Sequence, residues 1–271
     1  MTQANPQKQK TPGRIKFDVR DAIAHITISN PDRYNAMSLT MWRQLNDYVL
    51  QADQDPGIRL LVLRGEGEKA FVSGADISEF ETLRNSTEQV EAYGAAVKQA
   101  QHALSACGKP VMAAIRGVCM GGGIGLALAC DLRFCTQGSR FRMPAAKMGL
   151  GYDLAGIRRT VNVLGAARTA EIFYTARDFY GPDAERMGMV QRSFEDGAFE
   201  EEIQAIATQI ANNAPLTIRA AKLAIRNVLG DPEVQDEARI GQAIQDCFDS
   251  NDYKEGQQAF KEKRPPVFTG T

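Results

Sequence analysis

The sequence predicts an α/β protein whose final part is helical. Three observations carry this. Two short apolar stretches, 58–63 (interrupted only by Arg59) and 111–115, have the pattern of strands covered on both faces. Stretches of helical periodicity alternate with strand-like ones as far as Phe194, as in α/β proteins. Beyond Gly197 only helical periodicity remains. The expected organisation is a mobile polar tail over 1–13, an α/β core over 14–196 and a helical part over 197–271.

Residues 17–29 hold two strand-like stretches around Arg20-Asp21, and Ile26 and Ile28 flank Thr27 in half-buried alternation. Asn30-Pro31-Asp32 breaks the second. Ser38 has the chemistry of a helix N-cap, and Met41, Trp42, Leu45, Tyr48, Val49 and Ala52 then recur at helical spacing. Asp55-Pro56-Gly57 stops that helix before the strand at 58–63. A loop is expected over 65–76 and a helix start near Asp76. A longer helix over 87–106 is expected, capped by Thr87 and ended by Cys107-Gly108-Lys109-Pro110. The strand 111–115 leads through a glycine-rich stretch, 117–125, into a small-residue helix over 124–130. Strands over 132–135 and 140–143 follow, then a helix from about Leu154. Asn213-Ala214-Pro215 and Gly230-Asp231-Pro232 separate the C-terminal helices.

Composition excludes several classes. The chain has 271 residues, 44% apolar and 24% charged, with a formal net charge of -1. It shows neither a basic face nor a known nucleic-acid module, so no nucleic-acid partner is expected. Its five cysteines form no C-x-x-C pair, and His25 and His102 lie far from ligand-like spacing, so no metal site is expected. The odd cysteine count and the lack of a secretory signal point to a reducing, cytoplasmic setting. No apolar run approaches the ~20 residues that span a bilayer, so no membrane partner is expected.

Gly121-Gly122-Gly123 sits between a buried strand and a helix. It lacks the lysine and Ser/Thr of a phosphate-binding loop and the third glycine of a dinucleotide fingerprint. The stretch 65–70 fits the looser dinucleotide pattern, but Phe71-Val72-Ser73-Gly74 follows it in place of a helix. Two readings remain. The glycines either allow tight strand–helix packing, or they expose main-chain N–H groups at a helix N-terminus to a ligand.

Four segments resemble the crotonase (enoyl-CoA hydratase/isomerase) superfamily. Lys69-Ala70-Phe71-Val72-Ser73-Gly74-Ala75-Asp76-Ile77 is similar to its AF-xx-GADI loop. Lys109-Pro110-Val111-Met112-Ala113-Ala114-Ile115-Arg116-Gly117, followed by the glycine triplet, resembles its KPVIAAVNG…GGG segment. Asn30-Pro31 through Asn35-Ala36-Met37 resembles its NP…NAL turn, and the tail from Ser250 through Glu255-Gly256, Ala259-Phe260 and Glu262-Lys263-Arg264-Pro265 its C-terminal signature. The resemblance implies a spiral of ββα units with a helical C-terminal trimerisation part, as a homotrimer or a dimer of trimers. It implies an acyl-CoA substrate, with coenzyme A entering as part of it and no permanently bound cofactor. It places an oxyanion hole at the backbone N–H groups of Ala75 and Gly122, where an enolate-like thioester oxygen would be held. It places the coenzyme at Arg33, Ala36, Ser73, Ala75, Asp76, Ile77, Gly122 and Lys263, the last across a subunit boundary.

The resemblance fails where hydratases carry their two glutamates. Those positions are Gly125 and Ala145 here, and neither can move a proton. Their loss is expected to enlarge and dry the pocket, with Met143, Ala145, Met148 and Leu150 as apolar candidates and a bulkier or more apolar acyl chain as substrate. Asp153 remains, where dienoyl-CoA isomerases and 4-chlorobenzoyl-CoA dehalogenases place a working aspartate. The dehalogenase match is incomplete, with Ala145 at its tryptophan position and Lys98 at its histidine position. Asp153 is a candidate base or nucleophile, and equally a candidate N-cap for the helix after it. Tyr152 reads as packing, Cys119 as a buried inert thiol and His102 as a surface or packed residue. The expected function is enoyl-CoA hydratase/isomerase-like chemistry through a stabilised enolate. The alternatives are a displacement or hydrolytic acyl-CoA enzyme with Asp153 as nucleophile, and a non-catalytic CoA-binding oligomer.

Overall fold

The computed structural model describes residues 12–76, 79, 86–230 and 236–271. Most of the expected tail, Ile77 among the coenzyme candidates, the helix expected to follow Asp76 and the Asp231-Pro232 breaker lie outside them.

Strands β1 (Arg14–Arg20) and β2 (Ile23–Ser29) form a hairpin through Asp21 and Ala22, both at positive φ. Helix α1 (Leu39–Gln54) starts on Ser38, whose hydroxyl accepts from the Met41 N–H. Three strand pairs follow in succession: β3 (Leu60–Gly65) and β4 (Ala70–Val72), β5 (Val111–Ile115) and β6 (Val118–Met120), β7 (Leu132–Thr136) and β8 (Arg140–Arg142). In each pair the first strand joins one sheet and the second joins another. The larger sheet runs β1-β2-β3-β5-β7-β10, the smaller β4-β6-β8-β9, with β9 at Phe179–Tyr180 and β10 at Arg192–Phe194. Helices α2 (Thr87–Ala106) and α3 (Gly122–Ala129) close the first two turns, and α4 (Ala145–Met148) with α5 (Leu154–Thr175) the third. Chain progression is therefore a spiral of ββα turns, parallel within each sheet except at β1 and β9.

Alternation along the strands decides what packs where. Ala24, Ile26, Ile28, Leu61, Leu63, Val111, Ala113 and Ile115 face the core shared with α1, α2 and the small sheet. Ile23, Leu60, Val62, Met112 and Ala114 face the other way, under Phe199, Ile203, Ala207 and Ala211 of α7 (Phe199–Asn212). The large sheet is thus covered on both faces, which explains its near-continuous apolar strands. A short helix α6 (Gly181–Arg186) precedes β10, and α8 (Pro215–Val228), α9 (Glu237–Asp249) and α10 (Asn251–Glu262) complete the chain.

The structure corrects several boundaries. Ser86, not Thr87, caps α2, its hydroxyl accepting from the Gln89 N–H at 3.3 Å. The expected loop over 65–76 contains β4, and α3 begins at Gly122, within the glycine triplet. Gly123 shows why that triplet cannot carry side chains throughout. A Cβ there would lie 2.3 Å from the Val72 carbonyl oxygen, whereas at Gly122 the nearest atom would be 3.7 Å away. Gly123→Ala should therefore cost about 1–3 kcal/mol through overpacking, and Gly122→Ala much less. Thermal unfolding of the two variants checks the contrast.

Candidate active site

The site begins where the loop after β4 passes the N-terminus of α3. Met37 and Ala75 form an isolated parallel bridge: the Met37 N–H donates to Gly74 O and the Asp76 N–H to Met37 O, both at 2.9 Å. Those bonds take up the peptide groups on either side of Ala75, so its own N–H points away from Met37 and has no partner among the described residues. Gly122 is the first residue of α3, where a helix leaves its N–H unsatisfied. A Cβ on Gly122 would lie 3.9 Å from the Gly74 Cα, so the two free N–H groups come from adjoining segments. Both residues keep partial exposure.

A chain of buried groups fixes this arrangement. Trp42 packs beside Gly122 and donates its indole N–H to the Tyr93 hydroxyl at 3.1 Å. Tyr93 in turn donates to the Met37 carbonyl at 3.0 Å. Met37 holds Ala75, so helices α1 and α2 position a backbone donor that neither carries. The sequence places Trp42 on the buried face of α1 but gives no sign of its link to Tyr93.

Most of the coenzyme candidates gather where the turn before α1 meets the loop after β4. Arg33 Nη1 donates to both oxygens of Asp76, at 2.6 and 2.8 Å. The Ser73 hydroxyl donates to Arg33 O at 3.2 Å, and the Ala36 N–H to the same carbonyl at 3.0 Å. Asn35, at φ 55°, ties this turn to β4 by donating to the carbonyls of Glu66 and Ala70. That left-handed asparagine gives the Asn-Ala-Met turn a physical role. Lys263 lies exposed at the end of α10, with no hydrogen bond or ion pair to this loop.

Proceeding one helical turn along α3 reaches Gly125 and the loop that carries Asp153. Asp153 is the N-cap of α5, with Oδ1 accepting from the Gly156 N–H at 2.6 Å. The capping role is therefore real, and the exposed carboxylate keeps Oδ2 for other work. Tyr152 packs its ring edge-on against Phe173. Burial and the neighbouring Asp153 push its phenol up to about 12. The expected enlarged, dry pocket is not there. A Cβ on Gly125 would lie 2.7 Å from Gln101 Nε2 and 3.1 Å from the Tyr152 hydroxyl, so two polar side chains fill the space left at this position. Of the apolar candidates, Met143 and Ala145 are buried while Met148 and Leu150 are half-exposed.

With this geometry in place, comparison with known proteins decides the family. The family model for enoyl-CoA hydratase/isomerase matches residues 18–271. The chain belongs to the enoyl-CoA hydratase/isomerase family. A crystal structure of an enoyl-CoA hydratase/carnithine racemase from Magnetospirillum magneticum superposes with a TM-score of 0.88 at 38% identity, covering 96% of this chain and 97% of that one. A short-chain-enoyl-CoA hydratase of Clostridium acetobutylicum is 29% identical over 89% of this chain and 92% of its own length. A peroxisomal Delta(3,5)-Delta(2,4)-dienoyl-CoA isomerase of Arabidopsis thaliana is 29% identical over 80% of this chain and 81% of its own. The similarity thus extends to both hydratases and isomerases of the crotonase superfamily.

The remaining candidates of this family member are His102 and Cys119. His102 is exposed on α2. Burial holds the Cys119 thiol well above its ordinary value and pushes Cys107, Cys130 and Cys135 up to about 12. Thiols held protonated are poor nucleophiles. Iodoacetamide at pH 8 should leave these four unmodified in the native protein and label all five cysteines after denaturation, as peptide mass spectrometry would read. No helix among the described residues is long and apolar enough to cross a membrane. No cluster of three or more His, Cys, Asp or Glu suited to a metal occurs among them. A cavity of about 320 Å³ between α2, α8 and α9 is lined by several cations. Two of these are committed to structure: Lys222 pairs with Asp131 at 2.8 Å, and Arg226 donates to the Ala106 carbonyl at the end of α2.

Proposed function

We propose that this protein transforms an acyl-CoA at the carbons next to the thioester, through an enolate held by the Ala75 and Gly122 N–H groups. The observation that carries this is the pair of unpartnered main-chain donors on adjoining segments. Charge develops on the thioester oxygen as an α-proton leaves, and preorganised donors stabilise that charge without reorganising. Asp153 serves as the base. With Asp153 as base and no glutamate at position 125 or 145, double-bond migration is the favoured reaction. Asp153 takes a proton from one carbon, the electron pair shifts towards the carbonyl, and the proton returns at another carbon of the conjugated system. Coenzyme A arrives as part of the substrate, its nucleotide end at the Arg33–Ser73–Asp76 loop.

A second reading has a specific motive. Asp153 keeps Oδ2 free of the capping bond, so it can attack an acyl substituent as a nucleophile, and a trapped aspartyl ester would reveal that course. The assembly we propose is a homotrimer or a dimer of trimers. Its support is the exposure of the large apolar side chains Ile225, Val228, Phe248 and Phe260 on the C-terminal helices.

A panel of acyl- and enoyl-CoA thioesters incubated with the protein in heavy water tests the function, read by chromatography and mass spectrometry. Isomerisation gives a retention shift with deuterium uptake, hydration adds water, and cleavage releases coenzyme A. Absence of turnover and exchange across a broad panel would leave the non-catalytic reading ahead.

A further inference from the structure

The polar filling around Gly125 carries information about the acyl group. Arg159 Nη1 donates to Gln101 Oε1 at 2.9 Å. A guanidinium has no acceptor, so the amide oxygen must face Arg159 and the Nε2 donors must face Gly125. Nε2 makes no hydrogen bond with a described residue, and neither does the Tyr152 hydroxyl. Two donors from different elements, α2 and the loop before α5, therefore abut Gly125, have no protein acceptor among the described residues and are not sealed from solvent. Behind them Arg159 is part-buried; no carboxylate lies within ion-pair distance of it among the described residues, and Asp153 acts on its charge from beyond that distance. Burial weakens its hold on its proton, yet a guanidinium stays charged at any working pH. The Tyr152 phenol, held neutral up to about pH 12, is a donor across the same range.

Two donors without a protein acceptor, with a guanidinium behind them, suit an acceptor that carries negative charge. Gly125 follows Gly122 by one turn of α3, a rise of about 4.5 Å, so the acceptor would sit roughly three carbons beyond the thioester carbonyl. We propose that Gln101 and Tyr152, with Arg159 behind them, form a donor wall that selects acyl-CoA substrates carrying a carboxylate on a short acyl chain. This inference rests on the acyl-CoA reading above and makes the substrate class more specific. It replaces the expectation of a bulkier, apolar acyl chain. The wall consists of specificity residues and takes no part in proton transfer.

Calorimetric binding of a matched pair, glutaryl-CoA and valeryl-CoA, tests the proposal independently of reaction type. Both acyl chains have the same carbon count and differ in a terminal carboxylate against a methyl group. The wild type should bind glutaryl-CoA roughly ten- to a hundredfold more tightly, the range for hydrogen bonds to a charged group. Gln101→Leu and Tyr152→Phe should each shrink that ratio severalfold, with circular dichroism confirming the fold of each variant. The ratio is the deciding quantity, because a merely structural role would weaken both ligands in parallel and leave it unchanged. Equal binding of the pair by the wild type, or an unchanged ratio in both variants, would overturn the donor wall while leaving the acyl-CoA reading intact. Failure of the wild type to bind either thioester would overturn that reading and the wall with it.

Discussion

Asp153→Asn should reduce turnover of the preferred acyl-CoA by about 10²–10⁴ while leaving thermal stability nearly unchanged. The separation follows from the capping role of this residue and its proposed role as base. As N-cap of α5, Asp153 accepts from Gly156, and asparagine caps as well as aspartate does. As base, it needs a carboxylate, which asparagine lacks. Asp153→Ala removes both functions and should add a loss of about 1 kcal/mol in stability to the loss of turnover. Turnover that survives Asp153→Asn would reduce this residue to a cap and move the search to water held near Gly125.

Gly122→Pro is expected to lower kcat by at least ~10²–10³, the cost of one oxyanion donor. The substitution spares the helix because of where Gly122 lies. As the first residue of α3, it occupies a position where proline's missing N–H costs the helix nothing. The variant should therefore keep its far-UV circular dichroism and still bind a CoA thioester, with kcat affected more than Kd. Gly122→Ala, whose new Cβ would meet nothing closer than 3.7 Å, provides the control that keeps the N–H. Unchanged kcat in the proline variant would remove this main-chain group from the chemistry.

Parts of this architecture are plain in the sequence and others are not, for physical reasons. The strands at 58–63 and 111–115 are legible because burial on both faces demands continuous apolar residues, and β5 spans Val111–Ile115 as expected. The Ser38 cap and the Asn213-Ala214-Pro215 break are equally clear, since their side chains act on their own backbone. Strands of three residues, such as β4 and β6, are too short to show a period and are defined by neighbours distant in sequence. The motifs locate Ala75 and Gly122, but the Trp42–Tyr93–Met37 chain that holds Ala75 joins three separate elements. The filling of the Gly125 space escaped for the same reason. Glycine at that position reads as a vacancy, and only the packing of α2 against α3 and α5 brings Gln101 and Tyr152 into it.

The most direct test of the account is the infrared carbonyl stretch of a ¹³C=O-labelled acyl-CoA bound to the protein. In the proposed oxyanion hole two N–H donors would polarise the thioester carbonyl, so the band should shift to lower frequency on binding, and the shift should shrink in Gly122→Pro. A ligand that is bound, by calorimetry, yet shows its solution frequency in the wild type would contradict the oxyanion hole at Ala75 and Gly122 and the enolate chemistry built on it.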